Sequence, residues 1–119
     1  MFKNARDNIE FINKETNEKL VFHRRTWLCS IFGILTHYLR YTSDYAQKMI
    51  QDSTLCSETG LDFYSAAMLC HEDEYHWAMI IAHGESYWTK NFNPELPEDY
   101  DDWLMNYKNK YNLKLNICD

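Results

Sequence analysis

The stretch Trp27 to Leu39, WLCSIFGILTHYL, is the most continuously apolar run in the chain. Read as a helix, it carries two apolar stripes. Trp27, Ile31, Ile34, Tyr38, Tyr41 and Tyr45 form one; Leu28, Phe32, Leu35 and Leu39 form the other. Neighbours three or four apart lie on one helix face. Together the stripes cover more than half the circumference, and a helix apolar that far round must be covered on several sides. The stretch therefore reads as a central core helix with the rest of the chain packed around it. Thr26 reads as its N-cap. Gly33 weakens it by about 1 kcal/mol relative to Ala, which implies a neighbour packed close. The pattern continues through Tyr45 and Met49, with a break near Thr42–Ser43.

Outward from this helix, residues 8–23, NIEFINKETNEKLVFH, read as a β-hairpin. Ile9, Phe11 and Ile12 form one apolar run and Leu20, Val21 and Phe22 the other, with Asn17 in the polar turn between them. A loop rich in small polar residues, Asp52 to Gly60, leads to a second long helix, roughly Asp62 to Tyr87. Its stripe is Phe63, Ala67, Cys70, Trp77, Ile81, Gly84 and Trp88. After the turn NFNPELP, in which Pro97 suits a first helical position, a third helix covers Glu98 to Tyr111. It points Tyr100, Trp103, Leu104, Tyr107 and Tyr111 inward. The last residues, NLKLNIC, alternate as a strand that sets Leu113, Leu115 and Ile117 toward the core. A hairpin alone is marginal, so this strand is expected to join it. The expected fold is α+β: a β-β-α-α-α-β order in which the hairpin and the last strand pack on three helices, with residues 1–119 forming one domain.

The 119 residues are 45% hydrophobic and 25% charged, enough for a core without staples. The run Trp27–Leu39 is shorter than the roughly 20 apolar residues of a membrane span. The start, MFKNARDNIEF, lacks the apolar region of a signal peptide. These features predict a cytoplasmic protein with no membrane partner. In that setting Cys29, Cys56, Cys70 and Cys118, with no CxxC pair among them, read as buried free thiols.

No complete catalytic motif is present. The segment CHEDEYHWAMIIAH, residues 70–83, is not the HExxH zinc signature. Glu72, His76 and His83 share one helix face and are a legitimate donor set for zinc or iron. His76 and His83, however, lie two turns and roughly 10 Å apart, so no bound metal is expected. Cys70 beside His71 points about 100° away from it and reads as a core thiol rather than a nucleophile. His37 reads as a core or boundary histidine. No phosphate-cradling loop or dinucleotide fingerprint is present, so no catalytic residue and no cofactor are expected. The cluster His23-Arg24-Arg25 is too small a footprint for nucleic acid in a chain of net charge -6. It reads as linked to the protein's own acids.

Charge distribution is the most informative feature. Residues 1–60 carry eight Lys/Arg and seven Asp/Glu, whereas residues 61–119 carry four and eleven. Between positions 71 and 102 the acids are Glu72, Asp73, Glu74 and Glu85, then Glu95, Glu98, Asp99, Asp101 and Asp102, offset only by Lys90. Such a surface repels nucleic acid and attracts basic partners. Tyr100 and Trp103 among these acids match the anchors that protein interfaces use. The expected partner-binding set is those nine acids with Tyr100.

In size, acidity, cytosolic character and lack of a catalytic motif, the chain resembles bacterial toxin-immunity proteins. That resemblance is one of class and is carried by composition. It implies a non-enzymatic inhibitor whose carboxylates face the Lys/Arg-lined cleft of a basic toxin domain, often a nuclease. Three other readings are compatible with the sequence. One is a phage-type anti-defence inhibitor whose carboxylates mimic nucleic-acid phosphates. Another is a small metal-dependent enzyme using Glu72, His76 and His83. The last is a structural subunit whose exposed aromatics bury in a homodimer.

Overall fold

The computed structural model describes residues 2–119. Strands β1 (Ile9–Ile12) and β2 (Lys19–Phe22) form an antiparallel hairpin with Ile9 opposite Phe22 and Phe11 opposite Leu20. Asn17 adopts the left-handed conformation (φ 62°) in the turn, as its side chain allows without a large steric cost. Five helices follow among the described residues: α1 (Arg24–His37), α2 (Ser43–Asp52), α3 (Phe63–His71), α4 (Glu74–His83) and α5 (Tyr100–Lys110). The coarse class, helices with a small antiparallel sheet, matches the α+β expectation. The expected three-helix order does not.

The core helix is where the sequence placed it. Trp27, Leu28, Cys29, Ile31, Ile34 and Leu35 are all buried, and α1 packs against α2, α4 and α5. Its N-terminus is satisfied differently from the expectation. Thr26 is inside the helix, and its backbone N–H donates 2.8 Å to Asp7 Oδ1, while Arg25 N–H donates to the Arg6 carbonyl. Those helix-end donors must find acceptors somewhere, and an upstream loop supplies them. The expected break falls at residues 38–42, where Arg40 is left-handed (φ 65°). Thr42 then caps α2 by accepting from Tyr45 N–H, and Tyr45, expected on the core stripe, is exposed.

The second long helix is two. Asp62 and Ser65 form a capping box on α3, and Glu72 at its end is extended. Asp73 then starts α4 by accepting from Tyr75 N–H at 2.8 Å. A short polar N-cap in mid-pattern competes with continued helix, and here it wins. The stripe is correspondingly redrawn: Ala66, Leu69 and Trp77 are buried, and Trp88 is exposed. Tyr111, the C-cap residue that ends α5, is likewise exposed.

Segment 112–119 meets the hairpin at a single antiparallel bridge, Phe22 to Cys118, with paired backbone bonds between Val21 and Asp119. Ile117 is buried, but Leu113 is only half-buried and Leu115 is 67% exposed. The expected strand pairs with the hairpin side only at its end, where His23 N–H also donates to the Ile117 carbonyl. Further back, Leu113 N–H is taken by the Lys108 carbonyl and the next groups by side chains. Lys114 N–H donates to Thr26 Oγ1 at 3.0 Å, and the Leu115 carbonyl accepts from Lys108 Nζ at 3.0 Å. His23, 1% exposed, ties the hairpin to this segment. Its Nδ1 accepts from Asn8 N–H, so Nε2 carries the proton and donates to Asp119 at 2.7 Å. The basic cluster thus reaches one of the protein's own acids through His23, while Arg24 donates instead to the Cys56 carbonyl.

Two cysteines depart from the free-thiol expectation. Cys70 of α3 is disulfide-bonded to Cys118, with Cα atoms 6.0 Å apart. Cys29 and Cys56 are buried and free, and burial raises both thiols, Cys56 to about 11.

The close neighbour that Gly33 implied is Tyr107. A Cβ on Gly33 would lie 2.6 Å from Tyr107 Cζ. The ring cannot swing away cheaply, since its hydroxyl donates 2.8 Å to the Cys29 carbonyl and its face stacks on Trp103. Gly33→Ala gains about 1 kcal/mol of helix propensity but overpacks a filled site, which costs about 1–3 kcal/mol. Urea denaturation is expected to show a net loss of about 1 kcal/mol. A more stable Gly33→Ala protein would mean that the ring is free to move.

Candidate functional site

The acids that the sequence grouped divide by position into three sets. The first is internal. Tyr100 is 1% exposed, and its hydroxyl donates to Asp73 Oδ1. Burial, then the charge of Glu74, then this hydrogen bond hold the phenol well above its ordinary range. Glu74 is buried and its Oε2 lies 2.9 Å from Lys108 Nζ, with both side chains under 10% exposed. Asp73 is half-buried as the α4 cap. Tyr100, Asp73 and Glu74 are therefore structural, correcting the expectation of Tyr100 as an exposed anchor.

The second set is exposed and scattered. Asp99 accepts from Tyr38 Oη at 2.8 Å, and burial followed by that bond raises the Tyr38 phenol. Glu95, Glu98 and Asp102 are exposed before and on the first turn of α5. Glu85 lies elsewhere, in a cleft with Met49, Asp52, Ile80 and Ile81.

The third set converges. A hollow of about 470 Å³ is lined by residues 70–74, Leu104, Lys108 and residues 115–118. A second, of about 410 Å³, is lined by Asp101, Leu104, Met105, Lys108, Leu115 and Asn116. Sharing Leu104, Lys108, Leu115 and Asn116, they make one groove between the α3–α4 junction, α5 and segment 112–119. Glu72 and Asp101 are exposed carboxylates in this groove, and Met105 and Leu115 are 59% and 67% exposed. Lys108 in its floor is paired with Glu74, so the groove's free charge is negative.

Sequence reading missed Leu104, Met105 and Lys108 as groove residues, although a signal existed. Positions 101, 104, 105 and 108 follow the i, i+3, i+4, i+7 spacing of one helix face. Leu115 was assigned inward by alternation, and nothing in the sequence marked Asn116.

The proposed metal trio does not assemble. His76 Nδ1 and Tyr87 Oη share a hydrogen bond at 2.9 Å, while His83 stacks on Phe92 at 3.7 Å between centroids. Among the described residues, no three His, Cys, Asp or Glu side chains are placed to hold a metal ion. Among the described residues, no helix is long and apolar enough to cross a membrane.

Compared with known proteins, the chain matches no family model, and no match was found among curated proteins or solved structures.

Proposed function

We propose that this chain is a non-enzymatic inhibitor of the immunity-protein kind, of bacterial origin, which binds and neutralises a basic partner such as a nuclease-type toxin domain. The observation that carries this reading is the groove. It sets exposed Glu72 and Asp101 beside exposed Met105 and Leu115. Carboxylates at a rim steer a cationic partner and speed encounter, and exposed apolar side chains supply area that is buried on docking. The cytoplasm is proposed as the site of action. The Cys70–Cys118 bond counts against that compartment if it is permanent, since stable disulfides belong to oxidising compartments.

The local test uses oligolysine as a probe. Wild type is expected to bind it, more weakly as salt rises. The pair Glu72→Lys with Asp101→Lys is expected to lose at least about tenfold in affinity, equivalent to roughly 1.4 kcal/mol. The pair Asp52→Lys with Glu85→Lys, in the other cleft, serves as the comparison at equal charge change. Equal losses in the two pairs would reduce the effect to net charge and remove the groove from the reading. A photo-crosslinker at Met105, used in the source cell, tests the partner class: capture of an acidic protein would contradict it.

A further inference from the structure

We propose that Cys70–Cys118 is a reversible redox latch that holds segment 112–119 in place as one wall of the groove. The importance of that wall for binding rests on the functional reading above.

Cys118 and Cys70 both line the groove and are half-buried rather than sealed in the core, so a small thiol can reach the bond. Their Cα separation of 6.0 Å lies in the range that closes and reopens without backbone displacement. Beyond the disulfide, the wall is held by hydrogen bonds more than by apolar burial. Val21 and Asp119 exchange backbone bonds, His23 N–H donates to the Ile117 carbonyl and Leu113 N–H to the Lys108 carbonyl, and His23 Nε2 donates to Asp119. One bridge joins Cys118 to Phe22, and Ile117 is its only fully buried apolar side chain. Lys114 N–H and the Leu115 carbonyl rely on single side-chain bonds to Thr26 and Lys108. A segment with few buried apolar contacts opens locally at low free energy, and the covalent link to α3 adds to these hydrogen bonds in opposing that opening.

The chemistry is thiol–disulfide exchange with a dithiol. One thiolate of the dithiol attacks a sulfur of the bond, forming a mixed disulfide and releasing the other cysteine as a thiolate, which takes up a proton. The second thiol of the reductant then resolves the mixed disulfide. Cys70 and Cys118 end as two thiols, and the dithiol ends as a cyclic disulfide, two electrons having moved. Cys29 and Cys56 do not compete, because each is buried and its thiol is raised by burial. In the cytoplasm a disulfide of this kind is transient and redox-sensing rather than permanent.

The experiment compares the intact protein before and after dithiothreitol, and after reoxidation, by amide hydrogen exchange with thiol titration alongside. Cys118→Ser serves as the permanently open form. Expected are two additional titratable thiols and exchange at residues 113–118 faster by at least about tenfold. The helices should be unchanged and the effect reversed on reoxidation. Unchanged exchange at 113–118 in the fully reduced protein overturns the latch. Faster exchange throughout α1 and α4 also overturns it, since the bond would then be a staple for the whole fold. Four free thiols in protein treated with oxidised dithiol overturn it too. Oligolysine binding separates this from the reading it rests on. Affinity lower in the reduced form supports the latch acting on the groove. Equal affinity in both forms removes that action, and no binding by either form defeats the groove reading while the exchange result still decides the latch.

Discussion

Replacing Lys108 with Met is expected to lower the unfolding free energy by about 3–5 kcal/mol, the cost of removing one partner from a buried ion pair. The ammonium lies 2.9 Å from Glu74 Oε2, and the two side chains are 5% and 8% exposed. It also donates to the Leu115 carbonyl, so one side chain joins α4, α5 and the groove wall. Met keeps the length and apolar stem but leaves the Glu74 carboxylate buried without a countercharge. The loss should come mainly from that stranded charge. The double replacement Glu74→Gln with Lys108→Met is therefore expected to recover much of it, as paired apolar or neutral substitutions often do. Chemical denaturation of the two single variants and the double gives the coupling directly. A loss under about 1 kcal/mol for Lys108→Met would show that the pair behaves as a solvent-exposed bridge.

Tyr100→Ala is expected to destabilise the fold by about 3–5 kcal/mol, as for other buried aromatic side chains cut to Ala. The ring is 1% exposed and sits 5.5 Å from Tyr75 and 6.0 Å from Tyr38, between α4 and the end of α1. Tyr100→Phe keeps that packing and deletes only the hydroxyl that donates to Asp73. Asp73 retains the Tyr75 N–H, so the Phe variant should lose about 1–2 kcal/mol. Thermal and urea unfolding of both variants measures this. If Tyr100→Ala kept wild-type stability while weakening partner binding, Tyr100 would be an interface anchor after all.

The Gly33 and Tyr107 pair shows how far sequence logic reached. A glycine inside a strongly apolar helix implied close packing, and the ring found there is Tyr107, 74 positions later in the chain. The helix could be read because its periodicity is local, as could the hairpin, whose turn depends on Asn17 and its immediate neighbours. Helix ends were less legible. Asp7 satisfies the start of α1 from 19 residues away, and Asp73 divides one apolar pattern into two helices by capping the second.

The site divides in the same way. The sequence by itself determined that acids gather between positions 71 and 102, that the chain has a central apolar helix, and that Asp101 shares a face with Met105 and Lys108. Those follow from residue identity and from the 3.6-residue turn. Only the tertiary structure decided which acids are free. Glu74 is neutralised by Lys108, 34 positions away, and Asp73 is engaged by Tyr100. It likewise turned Leu115 outward and joined Cys70 to Cys118 across 48 residues. The physical reason is common to all four. Burial of a charge, pairing of a hydroxyl, exposure of an apolar side chain and closure of a disulfide depend on which distant segments meet. Local periodicity carries no record of those meetings.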